Sequence, residues 1–191
     1  MLVDQSVRAL LAAVSAPDPT PGGGSASALA SALGASLLLM VAGLPKTKSG
    51  SDEDRAALAS ASAVLGGLRD RLTAAVDEDT AAYDAVVAAY KRPKATEEEQ
   101  QARRAAIQEA MRGATEVPLR VMRLSAQALQ QGDIVARHGY TAASSDVGVG
   151  LALLTAGLKG ARLNVDVNLP SIADAAYVDA VRAECVKLTA S

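Results

Sequence analysis

Asp79 occupies a position that an apolar side chain should fill. The run Leu58, Ala61, Leu65, Leu68, Leu72, Val76, Asp79, Tyr83, Val86, Tyr90 advances in steps of three and four, which at about 100° per residue is one face of a helix. A carboxylate inside such a stripe is costly to ionise unless it is paired or hydrogen-bonded. No cation stands three or four residues away on the same helix to pair it. Burial then raises its pKa towards the range where a carboxyl group both gives and takes protons. Asp77 and Glu78 are expected to project elsewhere, as solvated charges. The plainer alternative is a helix that rolls, leaving Asp79 at a solvated edge of the stripe.

Four other constellations have the types and spacing to bind or react. Gly22-Gly23-Gly24 runs into a helix start, where unpaired N–H groups favour anions or polarisable oxygens. It lacks the lysine and hydroxyl of a nucleotide P-loop, so a tight turn with Ser25 as N-cap competes with it. Ser25 as a nucleophile lacks an evident histidine base. Asp146 is the only charge between His138 and Lys159, and the first turn of a helix is its structural alternative. Asn164, Asp166 and Asn168 alternate with Val165, Val167 and Leu169. If that segment is helical, Asn164 and Asn168 share a face one turn apart and can hydrogen-bond a heterocycle or a buried backbone. Lys46, Lys48, Lys91, Arg92 and Lys94 fall in loops, where they are solvated or meet a substrate carboxylate. His138 follows a polar turn and reads as a surface histidine.

The elements that must position these groups are helical. Val3, Val7, Leu10, Leu11 and Val14 mark a short first helix. An apolar helix over about 25–43 stops at Pro45, and a polar connection leads to a long helix over about 52–92, with Gly66-Gly67 as a bend. Thr96 and Glu99 form a capping box for a helix to about 131, kinked at Pro118 and stopped at Gly132. Ser144 or Ser145 caps the next helix and Asp174 the last. Hydrophobic residues make up 50% of the chain but aromatics only 2%, so burial must come from small residues and close backbone approach. That composition suits packed helices better than a sandwich or barrel. It also predicts a homodimer through the small-residue helices at 25–43 and 146–162, since one aromatic-poor chain struggles to bury so much apolar surface.

The net charge of -2 argues against nucleic acid as the main partner. A single Cys185 excludes an intrachain disulfide and fits a reducing compartment. Asp4 and Arg8 argue against a signal peptide, which makes the cytoplasm the expected location. Residues 25–44 have the length of a membrane span, yet contain four serines and two glycines. With no second such span, a buried central helix is expected instead.

These residues also carry a family resemblance. Thr20-Pro21-Gly22-Gly23-Gly24-Ser25, Val76-Asp77-Glu78-Asp79-Thr80-Ala81-Ala82-Tyr83, Val117-Pro118-Leu119, Ser145-Asp146 and Asn164-Val165-Asp166-Val167-Asn168-Leu169 follow one another along nearly the whole chain. The ordered set resembles the formiminotetrahydrofolate cyclodeaminase family, which includes bacterial methenyltetrahydrofolate cyclohydrolases. The resemblance implies one all-α domain over 1–191, an up-and-down bundle of long helices, and a homodimer holding folate between subunits. It implies Asp79 as the catalytic residue and Gly22, Gly23, Gly24, Ser25, Tyr83, Asp146, Asn164 and Asn168 as substrate contacts. No metal and no cofactor beyond the tetrahydrofolate substrate are expected. Where the family often has Gly-Asn, this chain has Gly139-Tyr140, and without phenylalanine only tyrosine can stack on a pterin. The implied activity is cyclodeamination of 5-formimino-tetrahydrofolate, with cyclohydrolysis of 5,10-methenyl-tetrahydrofolate or a non-catalytic folate-binding dimer as alternatives.

Overall fold

The computed structural model describes residues 1–190, which form six α-helices and three short 3-10 turns. The helices are α1 (Val7–Ser15), α2 (Gly23–Ala42), α3 (Asp52–Tyr90), α4 (Glu97–His138), α5 (Ser144–Asn168) and α6 (Ala175–Thr189). Among the described residues the only β pairing is one isolated bridge, Thr47 with Gly139. Helices α2 to α5 pack in a ring, each against the next and α5 back against α2, giving an all-α up-and-down bundle.

Small residues set the spacing of that ring. A Cβ on Gly34 would lie 2.6 Å from the Gly150 carbonyl oxygen, and one on Gly157 would lie 1.9 Å from Ser31 Oγ. The antiparallel α2–α5 seam therefore closes almost backbone to backbone. Leucines from the remaining helix faces fill the centre, with Leu38, Leu58, Leu65, Leu72, Leu119 and Leu154 fully enclosed. Ser31 and Ser125 satisfy one another inside it, oxygen to oxygen at 2.7 Å.

Several expected boundaries move, for local reasons. Helix α4 runs through both Pro118 and Gly132 to His138. Gly132 is a packing glycine rather than a stop: a Cβ there would meet Leu151 Cδ2 at 2.5 Å. Neither Ser144 nor Ser145 caps α5; a 3-10 turn, Thr141–Ala143, feeds it and Ala143 is the N-cap, without a side-chain bond. Helix α3 is continuous through Gly66-Gly67. The Thr96–Glu99 capping box and the Asp174 cap are present as expected. Residues 164–168 are helical, not extended.

Two segments, not one, are long and apolar enough to cross a membrane: Gly23–Ala42 and Thr141–Ser171. Both face the bundle core on one side through their small residues. Their outward side is unusually apolar for a surface, with Leu33, Met40, Val149, Leu163 and Val167 all exposed, the last two by 70%.

Candidate active site

The α3 stripe is buried from Leu58 to Val76 and then leaves the core. Helices α3 and α4 are far longer than α2 and α5, so beyond Val76 they project as a hairpin past the start of α2. Asp79 sits at that exit, half-buried, against the first turn of α2. Tyr83 and Tyr90, further along the same stripe, are already exposed.

The N-cap of α2 is Gly22, and no side chain of its own segment caps it. Ser25 is the third residue of the helix, not its cap. The capping acceptor comes from α3: Ser25 N donates to Asp79 Oδ2 at 2.8 Å. A carboxylate there satisfies one of the helix's orphan donors and faces the positive end of the dipole. The Ser25 hydroxyl, itself buried, lies 2.8 Å from the Val76 carbonyl oxygen and 3.1 Å from Asp79 Oδ2. Its single proton serves one of them at a time. Asp79 Oδ1 has no hydrogen-bond donor among the described residues. Burial pushes the Asp79 pKa above its ordinary value, and the two Ser25 hydrogen bonds pull against that without cancelling it.

Oδ1 is pressed against backbone. A Cβ on Gly24 would lie 1.9 Å from it, so glycine at this position is what lets the carboxylate reach α2. Beside this contact opens a cavity of about 300 Å³, lined by Thr20, Gly22, Gly23, Gly24, Asp79, Tyr83, Val86, Met111, Asn164, Val167 and Asn168. The structure thus gathers the glycine loop, the α3 carboxylate and both asparagines of α5 around one space.

The two amides differ in what they have left to offer. Asn164 donates to the Gly160 carbonyl of its own helix at 2.9 Å and packs against Gly23. Its Oδ1 is unengaged among the described residues. Asn168 donates to the Ala114 carbonyl at 2.9 Å. Ala114 stands four residues before Pro118, whose missing N–H leaves that carbonyl without its helical donor. Asn168 repairs the proline's defect and ties α5 to α4.

Asp146 does not reach this cavity. It lies in the first turn of α5, eighteen residues before Asn164 and so about 27 Å away along the axis. The loop cations are elsewhere too. Lys48 lines a separate cavity with Tyr140, Thr141 and Ser144, Lys46 stands over the Tyr140 ring at 5.4 Å, and Arg92 lines a groove between α3 and α4.

Two groups differ in the structure from what the sequence predicts. Asp77 is no solvated charge: it accepts from Leu2 N, while its Oδ2 is buried without a partner, as is Thr80 Oγ1. Only Glu78 behaves as expected, pairing with Arg120 at the surface. His138 is no free surface histidine, because its Nδ1 lies 2.9 Å from Oδ1 of Asp54. Asp54 is buried at the start of α3 and also accepts from Ser49 N, Ser49 Oγ and Thr47 Oγ1. Those donors hold it ionised well below the usual carboxylate range, the Ser49 side chain contributing most. Ser51 caps α3 by accepting from Asp54 N, which leaves the Asp54 carboxylate for Ser49, Thr47 and the distant His138.

A family model described as formiminotransferase-cyclodeaminase matches residues 6–187. The chain belongs to this family. It is 39% identical over 179 residues to a methenyltetrahydrofolate cyclohydrolase of Methylorubrum extorquens, covering 94% of this chain and 86% of that one. It is 33% identical over 181 residues to the formimidoyltransferase-cyclodeaminase of Rattus norvegicus, covering 95% of this chain but 34% of the rat protein. The crystal structure of a formiminotetrahydrofolate cyclodeaminase from Thermotoga maritima superposes with a TM-score of 0.87, over 100% of this chain and 91% of that chain, at 24% identity. That likeness shows the cyclodeaminase fold. The names these relatives carry are those of enzymes, and the Methylorubrum and Thermotoga proteins are named for tetrahydrofolate one-carbon derivatives.

Proposed function

We propose that the protein is a methenyltetrahydrofolate cyclohydrolase in which Asp79 is the acid–base residue. The observation that carries this reading is the Asp79 carboxylate, held through Oδ2 by the first turn of α2 while Oδ1 stands free of donors beside the cavity. The choice of cyclohydrolysis rests on the Methylorubrum enzyme, which matches along most of both chains. The rat cyclodeaminase is matched along a third of its length.

In the proposed reaction, water adds to the cationic methenyl carbon between N5 and N10. Ionised Asp79 takes a proton from that water as the C–O bond forms. The carboxyl group then returns the proton to N5 as the C–N5 bond breaks. The hydroxyl proton leaves to solvent, giving 10-formyl-tetrahydrofolate and one net proton. The carbon keeps its oxidation level, so no electron acceptor enters the balance. General acid–base work of this kind contributes about 10²–10⁴-fold, and the nearby negative charge stabilises the cationic substrate. Gly22, Gly23, Gly24, Tyr83 and Asn164 would contact the folate, with Tyr83 against the pterin ring, while Ser25, buried outside the cavity lining, would act through Asp79.

Cyclodeamination is the second reading, favoured by the raised pKa of Asp79. In its protonated form Asp79 would protonate the leaving nitrogen after N10 attacks the formimino carbon, releasing ammonia. Turnover of 5,10-methenyl- and 5-formimino-tetrahydrofolate on one preparation decides between the two. Inertness to both, with folate still bound, would leave the non-catalytic dimer.

The protein is proposed to work as a homodimer. The exposed apolar side chains of α2 and α5, with Val7, Leu11 and Val14 of α1 beside them, make one face that a second copy would cover isologously. The Asp79 cavity opens at its edge, where Val167 is exposed, so dimerisation would wall it. A monodisperse monomer in light scattering at micromolar concentration would rule this out.

A further inference from the structure

We infer that Arg104 holds the far end of the substrate, receiving the glutamate carboxylates of the folate whose one-carbon bridge lies at Asp79. The inference rests on the folate reading above and adds to it a residue that reads the substrate's charge.

The Asp79 cavity by itself has no place for those carboxylates. Its volume of about 300 Å³ suits the pterin bicycle, and none of the residues lining it is cationic. The p-aminobenzoyl ring and the glutamate must extend out of it, towards a cation that can pair with the tail.

The α3–α4 hairpin provides one path. On α3, Tyr90 stands eleven residues beyond Asp79, about three turns at 100° per residue, so it continues the side that carries Asp79, Tyr83 and Val86. On α4, Arg104 stands seven residues before Met111, about two turns, and continues the side from which Met111 lines the cavity. The two stripes run from the cavity towards the hairpin tip. Tyr83 and Tyr90 are 39% and 50% exposed along the way, and with Val86 and Met111 they offer a flat aromatic ring an apolar track. At the far end the Arg103 guanidinium lies 5.5 Å from the Tyr90 ring centroid and donates to the Tyr90 carbonyl oxygen. That contact ties α4 to α3 beside Arg104.

Arg104 differs from the other arginines of its helix. Arg103 bonds Tyr90, Arg112 pairs with Asp174, Arg120 with Glu78 and Arg123 with Glu184, while Arg137 donates to the Asp133 carbonyl oxygen. Arg104 is exposed and makes neither a hydrogen bond nor an ion pair among the described residues. Gln100, Gln101, Ile107 and Gln108, three and four places away, offer it no carboxylate. Its planar fork of donors is therefore open to a carboxylate from outside the chain. The reach also fits. Seven helical residues span about 10 Å, and an extended p-aminobenzoyl-glutamate covers about the same from N10 to its first carboxylate at ordinary bond lengths.

The test compares 5,10-methenyl-tetrahydrofolate with a neutral analogue in which n-butylamide replaces the glutamate. Arg104→Gln is expected to raise KM for the natural substrate roughly tenfold or more, the loss of a charge-assisted contact. It should leave KM for the neutral analogue, and kcat for both, unchanged. Arg104→Lys, which keeps the charge without the fork, should fall between. Arg182→Gln, the same change of charge on α6, is the matched control and should alter neither KM. Added salt should raise KM for the natural substrate in wild type and not in R104Q. An equal rise for both substrates, no rise for either, or the same rise in R182Q overturns the inference and leaves the proposed function standing. If wild type turns over neither 5,10-methenyl- nor 5-formimino-tetrahydrofolate, the proposed function falls. Dissociation constants of tetrahydrofolate and its n-butylamide analogue then decide Arg104 by the same comparison, and R104Q binding both as wild type does overturns its role.

Discussion

Gly24 and Asp79 touch across two helices so closely that a Cβ on the glycine would overlap the carboxylate, 1.9 Å from Oδ1. The contact fixes where that carboxylate oxygen sits. Gly24→Ala should push the Asp79 carboxyl out of place, and a displacement near 1 Å can cost about 10²-fold in turnover. Gly67→Ala is the matched control, since nothing lies within 4 Å of its added Cβ. There the loss of a helix-interior glycine should stabilise the protein by about 0.5–1 kcal/mol and leave turnover alone. Equal kinetics for the two variants would show that the Gly24 contact does not matter.

Asp79→Asn should lower turnover by about 10²–10⁴-fold and raise the melting temperature at neutral pH. The sign follows from the raised folded-state pKa. The folded protein binds this proton more tightly than the unfolded chain does. The stability Asp79 contributes is therefore complete below its ordinary value of 3.8 and is lost as pH rises through the folded value. Asparagine removes that loss, so the variant's thermal advantage should be present at pH 7 and shrink as pH falls towards 3.8. Near-native turnover in D79N would defeat the catalytic assignment.

Much of this was legible in the sequence because helical periodicity exposes an intruder. Asp79 breaks an apolar stripe, which marks it as a candidate beside the alternative of a solvated helix edge, and the structure places it half-buried at the end of the buried stretch. The glycine loop was legible as a helix start, and the asparagine pair as one face. What periodicity cannot show is which group meets which across helices. Ser25 looked like a cap because serine usually caps, whereas the acceptor comes from a carboxylate 54 residues away. Gly132 looked like a stop because a glycine's packing partner, here Leu151, is invisible along the chain. His138 looked solitary because Asp54 lies 84 residues before it.

The two asparagines should separate in experiment. Asn168→Ala strands the Ala114 carbonyl that Pro118 already denies a donor, costing about 1–3 kcal/mol. For a domain of this size that lowers the melting temperature by several degrees, about 2–4 °C per kcal/mol. Asn164→Ala removes only a bond to its own helix and should leave the melting temperature nearly unchanged while raising KM. The reverse pattern, a stable N168A with weakened binding, would move the recognition role from Asn164 to Asn168.

Ser25→Ala tests the charge state in which Asp79 works. The hydroxyl near Oδ2 favours the ionised carboxylate, so its removal should raise the Asp79 pKa further, while the backbone N–H of residue 25 remains. If Asp79 acts as a base in cyclohydrolysis, the acid limb of the pH–rate profile must move to higher pH, and activity falls most at low pH. If it acts as an acid in cyclodeamination, the limb set by loss of its proton moves up instead, and activity at high pH improves. The profile of kcat/KM for each folate, S25A against wild type, reads the direction. A profile that does not move for either substrate would mean that Asp79 does not govern the rate.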